Sequence, residues 1–304
     1  MVWPLRQKCF WVVGMLVLLV GCGVDQTSQP DAGGPLSVFA GIGPVAYLVE
    51  QIGGECVAVD VLIQPGQDPH TFEPTPRQVH ALGGATLFFK VGMPFENMLM
   101  EKVRGGNRQL TIVDVANGVE RRAMGAACCD HGRHDHEVLE AEADPHVWLS
   151  PPLLKVQAAN VAEALCRADP AHQHQYKENL ASLLERIDAT HRRVERELSP
   201  HRGRAFYVFH PGFGYFADAY GLKEEAVEAG GRSPSAKQLH TLVGRARAEG
   251  VNTVFVQPQF DPRSAQTVAE AIGGNVVPID GLAKDVLSNI EDIAKKIKRA
   301  WEKK

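Results

Sequence analysis

The sequence predicts an α/β protein of two lobes, each built on a mostly parallel sheet covered by helices, the two joined by one long helix. Three observations carry that expectation. Short apolar runs alternate with helical patterns from Leu36 onward, the alternation restarts at Arg204, and a long amphipathic stretch from about Gln173 to Leu198 separates the two sets. Strands that alternate with helices are joined by crossovers, which make a sheet parallel and cover both its faces. The composition allows such cores: of 304 residues, 44% are hydrophobic and 22% charged, enough for one large domain or two lobes. Net charge is −4 with the signs interspersed, so charge draws the chain neither to nucleic acid nor to anionic lipid, and no nucleic-acid partner is expected.

The amino terminus reads as an address. Arg6 and Lys8 precede an apolar run from Phe10 to Val20, shorter than the ~20 residues a membrane span needs. Its end, Leu19-Val20-Gly21-Cys22, resembles a bacterial lipobox, which implies cleavage before Cys22 and lipid attachment there; ordinary secretion is the alternative. Residues 1–22 are then a lipoprotein signal peptide and 23–35 a flexible tether. The protein is expected outside the cytoplasm, anchored to a bacterial membrane and facing the periplasm or the cell exterior. With Cys9 removed and Cys22 consumed, Cys56, Cys128, Cys129 and Cys166 remain, which is no disulfide framework.

An amino-terminal lobe is expected over 36–169. Ser37-Val38-Phe39-Ala40 is a strand, Val45 to Ile52 a helix closed by Gly53-Gly54, and Val57 to Ile63 the next strand. Thr75-Pro76-Arg77-Gln78 opens a helix, strands follow at Thr86 to Val91 and Leu110 to Val115, and Ser150-Pro151 supplies an N-cap and a first-turn proline. A linking helix is expected over 170–200, with Leu180, Leu183, Leu184, Ile187, Val194 and Leu198 on one stripe. A carboxy-terminal lobe over 201–304 has strands at Ala205 to Phe209, Val251 to Val256 and Asn275 to Ile279, and a capping box at Ser235-Ala236-Lys237-Gln238.

The chemistry gathers at four places. Asp68-Pro69-His70 returns as Asp144-Pro145-His146; proline fixes its own φ and pushes the residue before it into extended backbone, so each histidine leaves a stiff turn in a defined direction. His210 closes a strand and Asp280 closes another. Ligands of open α/β sheets bind beyond the carboxyl ends of the strands, so these four are candidates to face one cleft, and three imidazoles with a carboxylate match a tetrahedral zinc site. Asp68 or Asp144 could orient its neighbouring ring by accepting the non-ligating N–H, or be a turn former. Residues 128–137, with Cys128, Cys129, His131, His134 and His136, form a segment dense in soft and imidazole ligands, read as an auxiliary metal loop.

The runs Pro65 to Pro74, Asp144 to Pro151, His210 to Phe216 and Ile279 to Leu282 resemble the zinc- and manganese-type (ZnuA/TroA-like, cluster A-I) metal solute-binding proteins of bacterial ABC importers, and the resemblance extends from Leu36 to the carboxy terminus. It implies a metal held at the interface of two α/β lobes by His70, His146, His210 and Asp280, delivery to the transmembrane permease subunit of an ABC transporter, and a monomer. Manganese-type members are expected to carry a carboxylate at the third position, where this chain has His210, which favours Zn²⁺ over Mn²⁺ as the transported ion; a manganese- or iron-specific member of the same family is the alternative. The Cys/His loop lies where zinc-type members often carry a longer histidine-rich insertion. Two departures stand out: Gly41-Ile42-Gly43-Pro44 replaces a Ser-containing turn, and Gln257-Pro258-Gln259 lacks a common glutamate at its first position. No enzymatic activity is expected. A secreted zinc hydrolase would need an open metal position and a base, for which Glu73 is the candidate, but no His-Glu-x-x-His helix is present. A surface adhesin of the same fold is a third reading.

Overall fold

One strand order is used twice. In the computed structural model, which describes residues 1–2, 34–104, 109–124, 143–228 and 235–302, β1 (Leu36–Ala40), β2 (Val57–Val61), β3 (Leu87–Lys90) and β4 (Thr111–Asp114) form a parallel sheet in the order β2-β1-β3-β4. The strands β5 (Ala205–Val208), β6 (Lys223–Ala226), β7 (Thr253–Val256) and β8 (Asn275–Pro278) form a second parallel sheet in the equivalent order β6-β5-β7-β8. In each, the chain steps outward to one side of the first strand and then to the other. The resulting switch point opens a crevice at the carboxyl ends of the strands. The loops that carry His70, His210 and Asp280 all leave from those ends, after β2, β5 and β8.

Helices cover both sheets: α1 (Gly43–Gly53), α2 (Pro76–Leu82), α3 (Pro94–Arg104) and α4 (Pro151–Ala168) in the first half, and α6 (Gly214–Tyr220), α7 (Ala236–Ala248), α8 (Pro262–Ile272) and α9 (Val286–Glu302) in the second. Between the halves runs α5 (Gln173–Leu198), 26 residues long and flanked by single 3₁₀ turns at Pro170–His172 and Ser199–His201. Two helix starts are reciprocal capping boxes, Thr75 with Gln78 and Ser235 with Gln238, each satisfying two orphan backbone N–H groups. Ser150 departs from its expected role: it occupies the N-cap of α4, but its side chain makes no cap hydrogen bond, and Pro151 alone marks the start.

The core does not divide into two. From α5, Leu183, Ile187, Val194 and Leu198 are buried, while Leu180 and Leu184 pack half-buried against the same cluster. That cluster runs from Val38 and Phe89 in the first sheet, through α4, α5 and Ile290, Ile293 and Ile297 of α9, to Phe206, Val208 and Phe255 in the second sheet. Alternate residues of the second sheet, Tyr207, Val254 and Val256, face the other way and form a separate cluster with Leu242 and Ala246 of α7 and Val268 of α8. Among the described residues no helix is long and apolar enough to cross a membrane.

The Gly41 departure has a steric cause. Glu96 of α3 is fully buried and its carboxyl accepts the backbone N–H groups of Val91, Gly92 and Met93 at 3.1, 2.7 and 2.8 Å, closing the turn after β3. Burial pushes its pKa up to about 7 against those hydrogen bonds. A Cβ on Gly41 would lie 2.2 Å from Glu96 Oε1, so a serine there would expel the carboxyl and leave buried donors unpaired. Gly41→Ser is therefore expected to destabilise the fold by ~1–3 kcal/mol, read as a lowered urea midpoint. Gly244→Ala, in the exposed face of α7 with open space around it, is the opposite case and should stabilise by ~1 kcal/mol.

Candidate metal centre

Local hydrogen bonding aims each of the three histidines. In the loop after β2, Asp68 Oδ1 accepts the backbone N–H of His70 at 2.9 Å and Oδ2 accepts the Thr71 hydroxyl at 3.0 Å. Asp68 is thus the turn former, with its carboxylate spent on backbone and hydroxyl and not on the ring. Asp144 does both jobs: its Oδ1 lies 2.9 Å from the His146 backbone N and 2.7 Å from the ring Nδ1. The same tripeptide sequence therefore yields two different supports. His210, at the end of β5, is clamped by Gln257, whose amide donates to the His210 carbonyl at 2.6 Å and accepts its N–H at 3.3 Å. A glutamate at 257 could accept but, when ionised, not donate, which accounts for the second departure. The His210 ring meets Glu228 Oε2 through Nδ1 at 2.8 Å and stacks on Phe260 with centroids 4.8 Å apart.

The three rings converge. Their centroids are 4.8 Å (His70 to His210), 5.6 Å (His70 to His146) and 5.7 Å (His146 to His210) apart, and one ligand nitrogen from each lies within 4.8 Å of the others. The carboxylates take Nδ1 of His146 and His210, which leaves Nε2 on each. The Nε2 atoms of His70 and His210 are buried with no hydrogen-bond partner, a loss of ~1–3 kcal/mol apiece for a buried polar group that a bound cation would reverse. The cavity they border is about 30 Å³ and is walled by Trp148, Gly212, Phe213, Gln259, Phe260 and Leu282 among others. Gly212 passes so close that a Cβ there would sit 3.3 Å from His146 Nε2. Neutral nitrogen donors in a tight apolar-walled cavity suit a borderline-soft divalent ion.

Three hydrogen bonds across the halves hold the His146 turn and its surroundings. Tyr215 of α6 accepts the Arg122 backbone N–H at 2.9 Å and donates to the Asp144 carbonyl at 3.1 Å. Trp148 Nε1 donates to the Gly281 carbonyl at 2.6 Å. Glu228 and Phe260 carry no motif and escaped the sequence reading; Tyr215 lay inside the His210 to Phe216 run with no role assigned to it, and Gln257 was flagged as a departure.

Of the four expected ligands the structure gathers three. Asp280 stands beside the group: its Oδ1 caps the turn after β8 by accepting the Leu282 N–H at 2.8 Å and lies 3.5 Å from the Gln259 amide. It lines an adjoining cleft of about 410 Å³ with Asp60, Gln64 and Lys284. Among the described residues, the three histidines form the group of potential metal ligands that draws together. Cys22 and the loop residues Cys128, Cys129, His131, His134 and His136 lie outside the described residues.

Burial keeps the rings of His70 and His146 neutral. It lowers the His70 pKa to about 4, helped by the positive charges His146 and His210 would carry and opposed by Asp68 and Asp144. Burial likewise lowers His146, against its bond to Asp144. Burial alone would raise Asp144, but the hydrogen bond and charge of His146 bring it below the ordinary carboxylate value. For His70 the sign is clear: between pH 6.5 and about 4 the unfolded chain binds a proton there that the folded chain does not. The metal-free protein should lose of order 3 kcal/mol as pH falls through that window. A His70→Gln variant, compared by urea melts in chelator across the same range, should lack that part of the acid loss.

Comparison with known proteins places the chain. A crystal structure of ZnuA superposes with a TM-score of 0.80 at 35% identity, covering 88% of this chain and 99% of that one. The metal ABC transporter substrate-binding lipoprotein ScbA of Streptococcus cristatus is 27% identical over 278 residues, which are 87% of this chain and 86% of ScbA. The zinc-binding protein AdcA of Streptococcus pyogenes is 23% identical over 304 aligned residues, and the match takes in 95% of this chain but 59% of AdcA. Residues 38–300 match the family described as zinc-uptake complex component A, periplasmic. With two equivalent parallel sheets, a long joining helix and three converging imidazoles, the chain belongs to that ZnuA family of metal-binding proteins.

Proposed function

We propose that this protein captures Zn²⁺ outside the cytoplasm and hands it to the transmembrane subunit of an ABC importer. The observation that carries the reading is the converging three-imidazole group, in which the Nε2 atoms of His70 and His210 are buried and unpartnered. Imidazole suits zinc better than manganese, which prefers harder oxygen donors; the names of the family and of AdcA point to zinc, and that of ScbA to a metal ABC transporter. His70, His146 and His210 are the proposed ligands. Asp280, which shares the Gln259 and Leu282 wall with them, is proposed as a fourth donor once its turn releases Oδ1. The anchor on Cys22, the ranges 36–169, 170–200 and 201–304 for lobe, linking helix and lobe, the auxiliary loop at 128–137 and a monomeric state complete the proposal.

Capture needs no proton to leave His70 or His146 at neutral pH, because burial already holds both unprotonated. Release is proposed to follow a small displacement of the His210 side relative to the His70 and His146 side, since His210 follows β5 whereas the other two ride on the first half. The shared core resists a wide opening.

The deciding measurement is metal content and competitive affinity of the full chain in mild detergent, beside His210→Ala and Asp280→Asn. One tight zinc per chain is expected, weakened by ~100-fold or more in His210→Ala and by less in Asp280→Asn. A preference for manganese would keep a metal carrier and overturn the assigned ion; equal zinc affinity in parent and His210→Ala would overturn the centre.

A further inference from the structure

We propose that Glu228 is a positioning residue of the metal centre: its carboxylate locks the His210 ring and, together with Asp144, supplies the negative charge that three neutral imidazoles lack. This rests on the zinc reading above. Glu228 Oε2 lies 2.8 Å from His210 Nδ1, with side-chain exposures of 10% and 8%; the counterpart pair, Asp144 Oδ1 with His146 Nδ1, is at 2.7 Å with 7% and 9%. Both pairs are buried, and they come from opposite halves of the chain. A carboxylate on Nδ1 fixes the tautomer that presents the Nε2 lone pair, orients the ring and raises its basicity toward a metal.

The backbone places Glu228 there by register. Beyond β6, the N–H of Val227 donates to the Val208 carbonyl at 2.8 Å and that of Glu228 to the Phe209 carbonyl at 2.9 Å. The β5 to β6 ladder thus runs on for two residues, which sets Glu228 beside His210. Among the described residues His70 has no such partner, and Asp68 is occupied by the His70 backbone and Thr71. Among those residues the centre therefore holds two carboxylate-backed rings and one unbacked ring.

The two carboxylates also offset charge. A divalent cation on three imidazoles carries +2 into a buried cavity, and an uncompensated charge there is costly. Asp144 and Glu228 supply negative charge against it through the rings, beside whatever Asp280 adds as a direct donor. Glutamine at 228 keeps size and a hydrogen-bond acceptor but removes the charge, so it separates electrostatic support from shape.

The test uses the full chain in mild detergent, with Zn²⁺ affinity by chelator competition and the visible absorption of bound Co²⁺ as a report on ligand geometry. Parent, Glu228→Gln, Glu228→Ala and His210→Ala are compared. Glu228→Gln is expected to keep one zinc per chain at ~10–100-fold lower affinity, with an altered Co²⁺ band and a metal-free melting temperature close to the parent's. Glu228→Ala should weaken zinc further. Parental affinity and an unchanged Co²⁺ band in Glu228→Gln would overturn the role of Glu228 while leaving the centre standing. A large fall in the metal-free melting temperature of Glu228→Gln would overturn it too, marking a support of the fold. Undiminished zinc in His210→Ala is a different failure, that of the centre itself.

Discussion

Asp144 is the residue through which the centre is tied to both halves of the chain. Its carboxylate receives the His146 backbone and ring, its N–H donates to the Arg122 carbonyl at 2.8 Å, and its own carbonyl accepts the Tyr215 hydroxyl from α6. Arg121 extends the link, with one nitrogen on the Val91 carbonyl at 2.7 Å and another 3.4 Å from the Asp144 carbonyl. Val91 in turn opens the turn that Glu96 closes. Disturbance at Gly41 thus has a covalent and hydrogen-bonded route to His146, through Glu96, the 91–93 turn and Arg121. Buried polar chains of this kind fix one arrangement when every member is satisfied.

The polar bracing works because the apolar frame around it is continuous. A core shared by α5 and α9 with both sheets cannot part without exposing apolar surface at about 25 cal/mol per Å². The turn that carries His146 is then held by short contacts across the halves, such as Trp148 to Gly281.

Much of this was legible in residue order, and the failures have physical reasons. The repeated Asp-Pro-His and the strand-terminal His210 were readable because proline stiffness and strand ends are local properties. The extent of α5 was readable from its apolar stripe. The unequal fates of Asp68 and Asp144 were not, since identical tripeptides differ only in what surrounds them: Asp144 is 5% exposed and bridged to Tyr215, whereas Asp68 lies nearer solvent. Glu228 was invisible for a related reason. It follows Lys-Glu-Glu-Ala, an edge strand with no apolar run, so neither the strand nor the register that delivers Glu228 shows in the pattern. Asp280 sits at the expected strand end, yet its carboxylate is drawn into capping its own turn, a local competition that a four-ligand reading does not anticipate.

The cavity of about 30 Å³ bordered by the rings is small and presents three imidazole nitrogens. An ion seated among them gives up bound water to meet those nitrogens, so its own reluctance to dehydrate counts against it. Mg²⁺, which surrenders its shell reluctantly and wants oxygen, is the kind of ion that such a lining disfavours.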